Sequence, residues 1–509
     1  MVILKTLFAA PADDWIRFVG FLSGIALFIA VAELARKHAG WSPEVNRKLV
    51  HVLTGVLIFF TPYIFESGKP LIWMAVLFIV VNALGIQTGK LKGIHDTSRH
   101  SYGTVYYPLT FLILVITCWQ NHRVVLMLSM LILALADAAA AIVGETIPNP
   151  HSYRLGRDKK SWEGSLVMFT VSFLIVAILL PLIGSIDSWQ VSLTEAAWIG
   201  IITAVVATAL EGLSSGGSDN LTAPLGAAFI LSFMVSQPMD AKHTLVLGMG
   251  LALIVAVLSY RTRLLSVSGS VGTFLLATLI FGVGGWKWAL PILTFFVLSS
   301  LLSKLGRTYK SRFSLLFEKA DQRDIGQVLA NGAVAGSAIL GSYFFPHRIW
   351  FVLYLGALAA VNADTWATEI GIFSKQSPRS ILTFQQVDHG CSGGISLLGL
   401  VSALTGSFII VLIGWLSASW HPELSVTQSV FWIVVLAGFL ASLVDSVLGA
   451  SLQAQYKCPI CHKVTERQTH CKGEKTLHIS GLAWMNNDWV NGLCALSGVL
   501  FSFIGLGII

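Results

Sequence analysis

Apolar runs long enough to cross a hydrocarbon core about 30 Å thick follow one another from Trp15 to Ile509 and leave little chain for a large water-soluble domain. Composition agrees, with 55% of residues hydrophobic and only 12% charged, roughly half the charge of a soluble globular domain. The first run, Ile16 to Ala35, has only Lys5 as a basic residue upstream and is followed by Arg36 and Lys37 rather than a small-residue cleavage site. It reads as a retained span, and no signal peptide is expected. The formal charge of +7 reports orientation through the positive-inside rule before it reports any polyanionic partner, so no nucleic acid is expected.

Hydropathy places about sixteen candidate spans, near 15–35, 49–65, 71–87, 103–118, 123–143, 162–184, 195–212, 221–238, 243–259, 270–284, 286–303, 326–345, 349–370, 394–416, 428–449 and 490–508. The expected fold is an all-α polytopic helical bundle. Alternating the spans from an outside N-terminus gathers Arg36-Lys37, Arg47-Lys48, Lys90-Lys92-Arg99, Arg154 to Lys160, Arg261-Arg263 and the run Lys304 to Arg323 on one side, which is then cytoplasmic. The opposite loops, around Ser67-Gly68, Asp187 to Glu195 and His421-Pro422, are poorer in Lys and Arg. The expected location is a multi-pass one, in a bacterial inner membrane.

Two related halves are expected, 1–240 and 241–509, the second with a Cys/His loop over 451–485. The first carries Asp137-x6-Gly144 at a span end, then Lys159-Lys160-Ser161-Trp162-Glu163-Gly164-Ser165 entering the next span, then Glu211 and Asp219-Asn220. The second carries Asp364-x6-Gly371, then Gly390-Cys391-Ser392-Gly393-Gly394 entering a span, then Asp445 and Asn487-Asp488. This shared order reads as a diverged duplication.

Ionisable groups at span ends are costly and default to a functional reading, although a single one can equally snorkel or cap a helix. Four acids at matching places, Asp137, Glu211, Asp364 and Asp445, favour function. Phosphoryl transfer needs carboxylates for Mg²⁺, backbone N–H groups or cations for phosphate oxygens, and a positioned acceptor hydroxyl. Asp137 and Asp219 are candidates for the metal, with Lys159 and Lys160 before a helix start at Glu163-Gly164 where free N–H groups favour phosphate. Either lysine alone is an ordinary positive-inside anchor. Gly393 and Gly394 let backbone approach an anion, but glycine pairs also pack helices. No Walker A pattern and no His-Arg-Asp loop is present.

Residues 45–235 resemble the phytol kinase and dolichol kinase family, through Arg47-Lys48-Leu49-Val50-His51, Asp137 to Gly144, Lys159 to Ser165, and Glu211 followed by Asp219 to Pro224. Residues 245–509 resemble the membrane family that includes phytyl-phosphate kinase, through Asn362 to Gly371, Pro378-Arg379, Val387 to Gly399, Asp445 to Ala450, and Asn487-Asp488 with Val490-Asn491. Gly390-Cys391-Ser392 departs from the Gly-Thr-Asn of that family. The resemblance implies CTP as donor, an isoprenoid alcohol phosphorylated by the first half, and its monophosphate extended to a diphosphate by the second. Catalytic roles then fall on Asp137, Glu211, Asp219, Asp364, Asp445 and Asp488. Nucleotide contacts fall on Lys159, Lys160, Glu163, Gly164, Asn220, Gly390, Gly393, Gly394, Asn487 and Asn491.

Cys458-Pro-Ile-Cys461, followed by His470-Cys471 and His478, has the donors for a structural Zn²⁺ in a short polar loop, with Cys458, Cys461, Cys471 and His470 or His478 as ligands. A reduced, unmetallated loop is the alternative. Such a cluster on an inside loop favours a reducing compartment over a disulfide framework, and Cys118 and Cys494 read as packing residues. Two other function classes share some of these features. A secondary transporter also has duplicated halves and intramembrane acids, although near the bilayer midplane, and a cytidylyltransferase acting on a lipid phosphate shares the nucleotide and metal requirements.

Overall fold

The computed structural model describes residues 10–39, 43–88, 101–305, 322–421, 424, 426–471 and 473–507. Lys5, the stretch Lys90 to Arg99, Pro422 and residues 306–321 of the basic run ending at Arg323 lie outside the described residues. The chain forms two compact units, Met1–Pro238 and Met239–Ile509.

In the first unit the helices are α1 (Ala12–Ala39), α2 (Pro43–Phe59), the single turn α3 (Thr61–Ile64), α4 (Lys69–Thr88), α5 (Gly103–Cys118) and α6 (Arg123–Thr146). A two-stranded hairpin of β1 (Ser152–Tyr153) and β2 (Lys160–Ser161) leads into α7 (Trp162–Ile183), α8 (Leu193–Leu213) and α9 (Asp219–Ser236). The second unit runs α10 (Met239–Arg261), α11 (Val267–Gly284), α12 (Trp286–Lys304), α13 (Ile325–Phe344) and α14 (Ile349–Gly371). A hairpin of β3 (Arg379–Ser380) and β4 (Gly394–Ile395) then leads into α15 (Leu397–Ser419) and α16 (Gln428–Ser451). Five short strands follow, β5 (Gln455–Lys457), β6 (Val464–Thr465), β7 (Thr469–His470), β8 (Glu474–Lys475) and β9 (Leu477–Ser480), before α17 (Asn487–Leu506).

Fourteen of these helices, among the described residues, are long and apolar enough to cross a membrane, rather than sixteen. The window 49–65 falls short because the chain breaks at Phe60, where Pro62 starts the separate turn α3, and because α2 opens on polar Pro43-Glu44-Val45-Asn46-Arg47-Lys48. The window 103–118 is a 16-residue helix, about 24 Å at 1.5 Å per residue, which is less than the hydrocarbon thickness. Large apolar side chains such as Leu27, Val31, Leu247, Val401 and Leu500 stand exposed on helix faces, which suits lipid and not water.

Each unit is built round one helix whose apolar side chains are buried nearly all round. In α14 every residue from Phe351 to Ala363 is buried, and in α6 every residue from Val124 to Ala136 except Leu135 is buried. A helix that is apolar all round belongs in a core. The next residue in each case is an acid, Asp137 or Asp364, so the buried run ends on the first carboxylate of its half. Small residues let other helices close in: a Cβ on Gly498 of α17 would lie 2.3 Å from the Gly356 carbonyl oxygen of α14, and Cys494 packs its thiol between Ala360 and Ala441.

The acid-bearing helix and the one after it meet in the same way in both halves. Ser161 and Ser396 are N-caps in extended conformation, each accepting at 3.1 Å from the N–H three residues on, Gly164 or Gly399. Gly164 faces the Ala140 carbonyl, three residues past Asp137, and Gly399 faces the Ala367 carbonyl, three residues past Asp364. Gly144 and Gly371, each seven residues after its acid, lie over the capping serine. The Asp-x6-Gly spacing is thus a packing device: the glycine makes room for the cap of the next helix. It also fixes the correspondence between halves. Lys160-Ser161-x-x-Gly164 matches Ile395-Ser396-x-x-Gly399, rather than Gly390 to Gly394.

A Cβ at Gly164 would sit 2.9 Å from backbone oxygen, whereas at Gly399 the nearest backbone atom is 3.4 Å away. Gly164→Ala is therefore expected to cost about 1–3 kcal/mol and Gly399→Ala less. Unfolding midpoints in detergent measure the difference, and equal loss from the two variants contradicts the packing described.

Candidate active sites at the carboxylate clusters

In the first unit α6 is under-wound into a π-helical segment, Ile132–Asp137, that ends on Asp137. Such a bulge re-aims side chains and is frequent at functional sites. Asp137, Glu211 at the end of α8 and Asp219 at the start of α9 converge, with one carboxylate oxygen from each within 4.8 Å of the others. Lys160 reaches into the group from β2, contacting Glu211 and lying 3.3 Å from Asp219 Oδ2. Burial pulls the Lys160 ammonium down, but Glu211 and Asp219 outweigh it and hold it above the ordinary lysine range.

The loop between α8 and α9 is fixed by its backbone. Gly216 and Gly217 have φ of 62° and 86°, and a Cβ on Gly217 would fall 2.5 Å from the Gly103 nitrogen. Gly216 N–H donates to Asp158 Oδ2 at 2.8 Å, and Tyr102 N–H donates to the Gly216 carbonyl at 3.0 Å. Asn220 is buried and orients the acid beside it, its side-chain amide donating to Asp219 Oδ1 at 3.0 Å and to the Gly217 carbonyl at 3.1 Å.

The start of β2 separates the two lysines that adjoin in sequence. Lys160 faces the acids, whereas Lys159 is exposed. Glu163 is engaged by the hairpin, accepting from His151 N–H at 3.1 Å and lying 2.7 Å from its Nδ1, while Gly164 packs on α6. Two neighbours escaped the sequence reading: Tyr153, whose hydroxyl is 2.5 Å from the Oγ of Ser165 in the lysine motif, and Asp158. Tyr153 is cross-strand from Lys160, a pairing that only the hairpin register reveals.

In the second unit Asp364 and Asp445 lie close enough to act on each other, and Asp445 Oδ2 is buried without a hydrogen-bond partner. Ile395 occupies the place of Lys160, and among the described residues no ion pair reaches either aspartate. Arg379, opposite Ile395 in the hairpin, is exposed and donates to the Phe384 carbonyl at 3.3 Å. Gly390 and Gly393 adopt φ of 83° and 75°, and Gly393 lies against Ser446 and Ala450, just past Asp445. Gly394 N–H is used within the turn, donating to the Cys391 carbonyl at 3.1 Å.

Asp488 does not join a three-acid group with Asp364 and Asp445 at the separation seen in the first half, among the described residues. Asn487 and Asp488 begin α17, and Asn491 one turn on donates to Asn331 Oδ1 at 3.3 Å. Glu466, from the strand-rich loop, accepts from Ser392 Oγ at 2.7 Å and acts electrostatically on Asp445. Nothing in local sequence marked it.

Cys458, Cys461, His470 and Cys471 place one donor atom each within 4.8 Å of the others. His470 Nδ1 lies 3.1 Å from Cys471 Sγ and 3.5 Å from Cys461 Sγ. Backbone N–H groups, Cys461 first, hold Cys458 down at about 6, while the adjoining thiols, Cys461 first, push Cys471 up to about 11. His478, in β9, instead faces the ring of Tyr456 in β5. Three sulfurs and an imidazole at these separations fit tetrahedral Zn²⁺, whose bonds of about 2.0–2.3 Å set ligand atoms roughly 3.3–3.8 Å apart.

The sequence model of a family described as Integral membrane protein DUF92 matches residues 250–499. Protein PGR of Arabidopsis thaliana is 30% identical over 269 residues, covering 49% of this chain and 92% of PGR. A membrane protein of Methanocaldococcus jannaschii, described as uncharacterized, is 30% identical over 218 residues, 42% of this chain and 85% of its own. A phytol kinase of a Synechocystis species is 29% identical over 218 residues, 42% of this chain and 90% of the kinase. No solved structure matches.

Lys160→Met strands two acids that are only 8% and 19% exposed and is expected to cost about 2–3 kcal/mol, whereas Lys159→Met stays within about 0.5 kcal/mol of the parent. Chemical unfolding of both variants in detergent checks this. Equal effects would show that the strand does not separate the lysines.

Proposed function

Because the chain belongs to the DUF92 family of integral membrane proteins, we propose that it is a membrane kinase of isoprenoids that acts twice, converting an isoprenoid alcohol to its monophosphate in the first half and the monophosphate to a diphosphate in the second. The likeness to a phytol kinase supports a kinase acting on an isoprenoid alcohol. The observation that carries the reading is the convergence of Asp137, Glu211 and Asp219 round Lys160. CTP is the proposed donor, and the motif loops are proposed to face the cytoplasm of a bacterial inner membrane, where the nucleotide is found.

Three carboxylates from three helices suit a hard, oxygen-preferring cation, and Asp137, Glu211 and Asp219 are the residues that would hold Mg²⁺. The ion would supply charge neutralisation to the transferring phosphoryl group. Lys160 lies where it can exchange part of its contact with Glu211 and Asp219 for a phosphate oxygen. The first turn of α7, just past the Ser161 cap, offers backbone N–H groups to the same anion. Asp137, which is not one of the two acids ion-paired with Lys160, can accept the proton of the acceptor hydroxyl as the new P–O bond forms and the bond to the departing nucleoside diphosphate breaks. Asp364 and Asp445 take the corresponding roles for the monophosphate.

One chain for both steps suits the intermediate. Its apolar tail remains in the bilayer at about 0.8 kcal/mol per buried CH₂, so it reaches the second site by lateral diffusion.

Asp137→Asn is expected to abolish phosphorylation of alcohol while sparing that of supplied monophosphate, and Asp364→Asn to do the reverse. Purified protein with CTP, Mg²⁺ and labelled prenol or prenyl phosphate provides the assay. CDP as the nucleotide product supports the kinase, pyrophosphate would indicate cytidylyl transfer, and unchanged turnover in both variants would overturn the assignment.

A further inference from the structure

The Cys/His loop is more than an insertion between α16 and α17. Its strand β6 pairs with β5 through Thr465 and Tyr456, and the next residue, Glu466, leaves the sheet to meet Ser392 Oγ at 2.7 Å. Glu466 also lies close enough to Asp445 to act on it electrostatically. In sequence it sits between the two donor pairs, five residues after Cys461 and four before His470. Closing those donors on one ion would fix both ends of the segment that carries Glu466. Within the loop His470 and Cys458 are buried, whereas β8 and β9 are exposed.

The halves differ in a way that gives this loop a task. Three acids in the first half come from transmembrane helices and are neutralised in part by Lys160. Among the described residues the second half has Asp364 and Asp445 at the corresponding place and no three-acid group there, with Ile395 where the lysine would be. We propose that the cluster Cys458, Cys461, His470 and Cys471 binds Zn²⁺ and thereby holds Glu466 against Ser392 and beside Asp445, making Glu466 a metal-dependent positioning residue of the second acid site. Through Ser392 it fixes the Gly390–Gly394 turn, and through its charge it raises the affinity of the aspartate pair for a divalent cation. The site's role in monophosphate phosphorylation rests on the function proposed above, but zinc binding and the ordering of Glu466 do not.

The full chain carries its own control, since the first half has no part of this loop. Zinc per chain is measured on protein purified without chelators, and again after treatment with a zinc-selective chelator that leaves Mg²⁺ in solution. Backbone hydrogen exchange over residues 464–469 is followed in both forms. One zinc per chain is expected, with faster exchange at 464–469 once it is removed. Stripping is expected to lower monophosphate turnover about tenfold or more and leave alcohol turnover unchanged, with recovery on adding Zn²⁺. Glu466→Gln should keep its zinc yet need about tenfold more Mg²⁺ for half-maximal monophosphate turnover, with Glu466→Asp recovering part of the loss.

Absence of zinc, or exchange at 464–469 that ignores its removal, overturns the proposal whatever the activity. Zinc binding with an unaltered Mg²⁺ requirement in Glu466→Gln removes the positioning role. If the parent protein converts no monophosphate, the kinase reading of the second half fails instead, and the zinc and exchange measurements still decide the loop.

Discussion

Carboxylates at the ends of buried apolar helices are the constraint round which each half is arranged. An ionised acid next to a fully packed helix segment is costly unless a cation or hydrogen-bond donors meet it. In the first half Lys160 and the amide of Asn220 do so, and the hairpin, the Ser161 cap and the glycine turn at Gly216-Gly217 exist in the geometry that brings them there. In the second half the same hairpin and cap deliver Ile395, leaving Asp364 and Asp445 to face each other. A site that gathers acids without a matching protein cation is suited to a divalent ion. The two halves therefore share a frame and differ in how its charge is met.

Much of that frame was legible in the sequence. The acids could be found because charge is rare in apolar runs, and the Asp-x6-Gly and Ser-x-x-Gly spacings turn out to be the contact between consecutive helices. The number of full spans was less legible, since hydropathy averages over the break at Phe60 and cannot weigh the polar start of α2. The π-helical turn before Asp137 left no sequence signature either, because an extra residue in one turn depends on tertiary packing.

Charged residues were harder to assign than acids at span ends. Lys159 and Lys160 are alike in composition and differ in that β2 begins at Lys160, which a two-residue strand does not announce. Asn220 reads as a ligand group but spends its amide on Asp219 and Gly217. Glu466 stood inside a segment dominated by its cysteines, and its contact with Ser392 joins residues 74 apart in sequence. Matching the Gly390–Gly394 turn to the lysine segment failed for a related reason: glycine and lysine both suggest an anion, whereas the capping serine is what the fold repeats.

The central claim is that each half holds its own divalent-cation and nucleotide site at its acid cluster. Mn²⁺ in place of Mg²⁺ allows this to be read without turnover, by electron paramagnetic resonance titration of the detergent-purified chain with and without CTP. One nucleotide-dependent Mn²⁺ site in each half is expected, the first lost in Asp137→Asn and the second in Asp364→Asn. Nucleotide-independent Mn²⁺ binding, or retention of both sites in both variants, would contradict it.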